Sequence, residues 1–84
     1  MIRRLTEADR KDLVQYLQKE ETLNIYFLDS IAMHGFEKEF LEIYGEFDER
    51  NQYQSILLLF RKTSILYYSH SQVFSNEWVE MLEA

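Results

Sequence analysis

The side chains able to do chemistry are two histidines, paired carboxylates at Glu20-Glu21 and Asp48-Glu49, a scatter of serines and six tyrosines; cysteine is missing. Without cysteine there is no thiolate nucleophile, no disulfide framework and no sulfur ligand for zinc. His34 and His70 stand apart, and neither is followed by a second histidine at the spacing of a helical metal site. A histidine in the last turn of a helix is also favoured by the dipole, and His34 is placed for that role. The carboxylate pairs are adjacent in sequence at polar breaks, which suits solvated turns better than a tuned acid–base pair. No serine sits in a Gly-x-Ser-x-Gly elbow. Gly35 and Gly45 are ten residues apart, so they cannot form a phosphate-cradling loop. The tyrosines offer ligand edges, although aromatic residues in an α+β domain mostly build core and sheet surface.

Charge narrows the partners. The net charge of −6 disfavours nucleic acid, because neutralising phosphates requires clustered Lys and Arg. Residues 1–19 carry a net +2, residues 20–60 a net −7 and residues 61–84 a net −1. An acidic middle attracts amines, but it is also the ordinary composition of a solvated face. No apolar stretch approaches the ~20 residues of a membrane span. Met1-Ile2-Arg3-Arg4 leads into charge rather than an apolar segment, unlike a secretory signal. A soluble, cytoplasmic protein is expected. The 84 residues allow one small domain, whose core supplies only about 3–5 kcal/mol.

The elements that must position these residues centre on Leu41–His70, which reads as three strands separated by two polar turns. Ile56-Leu57-Leu58-Leu59-Phe60 has no polar member, as expected for a strand covered on both faces; a buried helix segment is the competing reading. Leu41, Ile43, Gly45 and Phe47 alternate with Glu42, Tyr44 and Glu46, the pattern of a strand with one wet face. Gly45 implies a bulge or a close backbone approach. A central strand over Tyr53–Phe60 and a third over Ser64–Ser69 form an antiparallel hairpin. Upstream, Ile2–Leu5 forms a short first strand. A helix capped by Thr6 and Asp9 is expected from Glu7 to Lys19 or Glu20, burying Leu13, Val14 and Leu17. After a break at Glu20–Thr22, a second helix carries Leu23, Phe27, Leu28, Ile31 and Ala32 inward. It ends at Gly35 in a left-handed C′ conformation, with Phe36 in apolar contact. Ser75 or Asn76 caps a last short helix with Trp78, Val79 and Leu82 on its apolar face. Such a helix needs something to pack on.

The order strand, helix, helix, three-strand meander resembles the N-terminal half of a GNAT-type acyltransferase. The opening Ile2-Arg3-Arg4-Leu5-Thr6-Glu7-Ala8-Asp9 is similar to that family's "I-R-x-L-T-x-x-D" start. Leu23-Asn24-Ile25-Tyr26-Phe27-Leu28-Asp29-Ser30-Ile31 resembles the second-helix segment of a bacterial subgroup, which carries an extra N-terminal GNAT-like half ahead of its catalytic domain. The family holds acetyl-CoA on a Gln/Arg-x-x-Gly-x-Gly/Ala loop after its fourth strand, where backbone N–H groups and a helix N-terminus meet the pyrophosphate. Here the corresponding Gln72-Val73-Phe74-Ser75-Asn76-Glu77 contains no glycine.

The resemblance therefore implies a fold without its catalysis. The expected protein is a single α+β domain, residues 1–84, lacking the acetyl-CoA half. It would be a non-catalytic N-terminal domain or fragment of a GNAT-related N-acetyltransferase, supporting substrate binding or assembly. It would have no catalytic, cofactor or metal residues of its own, and acetyl-CoA would enter only with a C-terminal GNAT half. In such a parent, Asn24 and Tyr26 would face the substrate. The alternative is a freestanding module that dimerises. Its last strand, ending in Tyr67-Tyr68-Ser69-His70, has no Lys or Pro to discourage edge pairing, and a symmetric partner would cover Tyr67, Tyr68, Trp78 and Leu82. A small hydrolase or metal enzyme has almost no residues in its support.

Overall fold

In the computed structural model, residues 1–70 and 74–83 are described. Four strands form one antiparallel sheet in chain order: β1 (Ile2–Arg4), β2 (Leu41–Phe47), β3 (Tyr53–Phe60) and β4 (Ser64–Ser69). Helices α1 (Arg10–Gln18) and α2 (Ile25–His34) lie between β1 and β2, and α3 (Asn76–Glu83) follows β4. The apolar run at Ile56–Phe60 is thus a strand, and the helix reading of it is set aside. Gln72 and Val73 of the glycine-free segment lie outside the described residues.

Alternation divides the sheet into two unlike faces. Leu41, Ile43 and Phe47 of β2, Ile56 and Leu58 of β3, and Tyr68 of β4 join Leu13, Leu17, Phe27 and Ile31 of the helices in the main core. The register supports this, since Ile43 opposes Leu58 and Leu58 opposes Leu66. The opposite face carries Ser55 and Leu57, both fully buried, and Trp78 of α3 packs against it at Ser55. There the Trp78 indole N–H donates to Ser55 Oγ at 2.7 Å, and the Ser55 hydroxyl donates to Glu46 Oε1 at 2.7 Å. Tyr67 meets the Trp78 ring edge-on at 6.2 Å. The unbroken apolar run of β3 is explained by helices on both sides of it.

Several local expectations need correction. The first helix does not begin as α-helix at Glu7: a single 3₁₀ turn over Glu7–Asp9 precedes α1, which ends at Gln18. The Asp9 carboxylate accepts from Thr6 N at 2.9 Å and from Arg3 at 2.8 and 3.0 Å. This short arm draws the first turn tighter than a glutamate would. The break before α2 extends through Asn24, whose N–H bonds back to Glu20 O and Glu21 O. Leu23 consequently sits in that turn and is exposed, as is Ala32, while Phe27 and Ile31 carry the buried stripe. Gly35 has positive φ (+70°), but ψ is −150° rather than left-handed helical. In α3 only Trp78 is buried; Val79 and Leu82 remain partly exposed on its flank.

Gly45 is a close approach. A Cβ there would meet Phe47, Tyr53 and Leu5 side chains at 3.1–3.2 Å. The bulge falls one residue on, where Glu46 opposes Ser55 but Phe47 opposes Tyr53, leaving Gln54 without an opposite residue on β2.

Candidate functional site

Tyr16 leaves α1 on the same side as Leu13 and Leu17, the three and four spacing that defines a helix face. It therefore points at the sheet, where β3 begins and β4 ends. Its ring stacks on Tyr53 at 5.1 Å and meets Tyr68 edge-on at 5.6 Å. Its hydroxyl lies 3.1 Å from the Gln54 carbonyl and 2.8 Å from His70 Nδ1. The bulge gives Gln54 this role: its carbonyl accepts from both Tyr16 and the Ser69 hydroxyl, the latter at 3.1 Å. Tyr68 completes the cluster by donating to Glu20 Oε1 at 2.6 Å, which ties β4 to the turn after α1.

Burial sets the protonation of these phenols. Tyr16 is pushed well above the usual phenol range by burial. Burial raises Tyr53 to about 12. Tyr68 also rises to about 12, first through burial and then through its hydrogen bond to the Glu20 carboxylate. At neutral pH all three are protonated donors, and none is a base or nucleophile. A cleft of about 330 Å³ adjoins the cluster, lined by Glu20, Leu23, Tyr67, Tyr68, Ser69 and Phe74. It pairs a carboxylate and a hydroxyl with aromatic side chains. The larger hollow, about 580 Å³ at the β2–β3 turn, contains Asp48. That carboxylate is occupied by the turn itself, accepting from Arg50 N, Gln52 N and Gln54 Nε2 at 2.8–3.0 Å. Among the described residues no group of three or more histidine or carboxylate side chains is placed to hold a metal ion.

Comparison with descriptions of protein families, with curated proteins and with solved structures returned no match for this chain.

The residues singled out from sequence are dispersed. Asn24 is inside, 1% exposed, with Nδ2 donating to Leu17 O at 2.9 Å; it fastens the α1–α2 turn and presents nothing to solvent. Tyr26, two residues on, is 71% exposed on the far side of α2. Tyr67 and Tyr68 point to opposite faces of the sheet, as neighbours in a strand must. Trp78 is 0% exposed beneath its own chain, so it has no surface left for a partner, whereas Leu82 keeps 38%. His34 packs edge-on against Phe40 at 5.2 Å and belongs to the helix end. The Tyr16–His70 pair escaped sequence reasoning because 54 residues separate its members. The available signals were Tyr16 sharing the Leu13–Leu17 face and His70 continuing the Leu66–Tyr68 alternation.

Proposed function

We propose that this chain is a non-catalytic N-terminal half-domain of a GNAT-related acyltransferase, serving substrate binding or assembly rather than acyl transfer. The reading is carried by the order β-α-α-β-β-β, closed by a helix directly after the fourth strand, together with the Ile2–Asp9 opening. The glycine-free segment after β4 argues against an acetyl-CoA site in this chain. A role in substrate binding would fall to the cleft at Glu20 and Tyr68, because Asn24 faces inward.

The second reading, a dimerising module, is favoured by one feature. β4 is the last strand of the described sheet and carries no charge from Ser64 to Ser69, so two copies could meet there without like-charge contact. Titration calorimetry with acetyl-CoA, run beside sedimentation, tests both. The half-domain reading expects no heat of binding and a monomer. Micromolar binding would overturn the non-catalytic assignment by requiring a cofactor site without the glycine loop. A dimer without binding would select the second reading.

A further inference from the structure

Helix α2 is apolar on two opposite sides. Phe27 and Ile31 face the core, while Ile25, Tyr26, Ala32 and Met33 project outward with Asp29 as the one charge among them. Tyr26, Asp29 and Met33 follow one another at spacings of three and four, so they form a continuous stripe. Tyr26 is 71% exposed and Met33 74%, and Leu23 extends the patch into the preceding turn at 68%. Exposed apolar side chains grouped on one helix face, here around Asp29, mark an interaction surface.

The charges around the patch specify its occupant. No lysine or arginine occurs between Glu20 and Glu37, while Glu20, Glu21, Asp29 and Glu37 are all acidic. A second copy laid on this face would bring carboxylates against carboxylates, and an anionic membrane surface would be repelled in the same way. We infer that the outer face of α2 is a docking surface for a basic amphipathic helix of another protein, its apolar side on Tyr26 and Met33 and its lysines or arginines towards Glu21, Asp29 and Glu37. This is the helix-on-apolar-face mode of recognition, with charge setting the partner and contact with Tyr26 and Met33 holding it. The inference rests on α2 and the residues flanking it and is independent of the GNAT reading.

The test uses the whole chain and a synthetic peptide of about 14 residues, roughly 21 Å of helix, with leucines on one face and lysines on the other. A control peptide replaces every lysine with glutamate. Amide chemical shifts of the protein are followed during titration. The lysine peptide should bind with shifts concentrated between residues 20 and 37, binding should weaken with added salt, and the glutamate peptide should not bind. The double variant Tyr26→Gln/Met33→Gln, altered only at exposed positions and neutral in charge, should keep the wild-type thermal transition and lose about tenfold or more in affinity, as loss of central anchors does. Equal binding of both peptides, shifts mapped to another face of the wild-type protein, or no binding at all would overturn the inference. So would a wild-type dimer that this double variant makes monomeric, because a second copy would then be the occupant.

Discussion

At Gly35 the chain leaves α2 with φ +70° and ψ −150°, a combination essentially confined to glycine. Space is short as well, since a Cβ would come within 2.8 Å of Glu7 Oε1 and 3.4 Å of Arg10 Nη2. Gly35→Ala should cost about 1–3 kcal/mol, read as a lower denaturation midpoint at unchanged slope. Asp9 gives a pH signature at the same scale. Its hydrogen bonds to Arg3, followed by the one from Thr6 N, hold its carboxyl below the usual aspartate range. A lowered folded-state pKa contributes stability that is fully present above the unfolded value of about 3.9 and is lost as pH falls through the folded value. Asp9→Asn should therefore be destabilised near neutral pH, with the difference from wild type shrinking once pH drops below about 4. A difference that stays constant down to strongly acidic pH would show that the charge is not what Asp9 contributes.

At the scale of elements, the attachment of α3 is the least redundant feature of the fold. Eight residues make a helix that is marginal alone, and its one buried side chain is the indole bonded to Ser55, beside an exposed contact between Glu77 and the N-terminal ammonium. Ser55→Ala leaves that N–H buried without an acceptor and should cost about 1–3 kcal/mol. Amide exchange should accelerate across Asn76–Glu83 while the β2–β3 ladder stays protected; uniform acceleration would mean that α3 is inseparable from the sheet. The β3–β4 turn offers a gain instead. Arg61 and Lys62 both have positive φ, +53° and +61°, a pair of conformations that hairpin turns usually assign to Asn and Gly. Lys62→Gly should raise stability by about 0.5–1 kcal/mol, and a lower melting temperature would count against the turn geometry. The strands themselves were legible in sequence, because β2 alternates residue by residue and β3 is one apolar run between polar breaks. Sequence was silent where a contact outside the periodic pattern decided the outcome. Asn24 turns inward to donate to Leu17 O, Trp78 lies under its own chain with its indole on Ser55, and the Tyr16 site forms around a bulge that only strand pairing creates.

Across the whole molecule, Tyr16 from α1, Tyr53 from β3 and Tyr68 from β4 join three elements through phenols that folding keeps protonated. Tyr53 and Tyr68 stand at about 12, and Tyr16 is raised further by burial. A folded-state pKa raised above the unfolded value of about 10 contributes stability that is fully present below pH ~10 and is lost as pH climbs through the folded value. Three such groups act against a reserve of only about 3–5 kcal/mol for a core of this size. Alkaline unfolding should thus be cooperative between pH ~10 and ~12, with phenolate absorbance of these three tyrosines appearing together with loss of the far-ultraviolet dichroism. Tyr68→Phe gives up the bond to Glu20 and so weakens the fold at neutral pH, but it removes one ionisable phenol and should move the alkaline midpoint upward relative to the variant's own neutral stability. If the three phenols instead titrated near pH 10 with the dichroism intact, the aromatic cluster would be open to solvent, and burial of these rings would not be what couples α1 to the sheet.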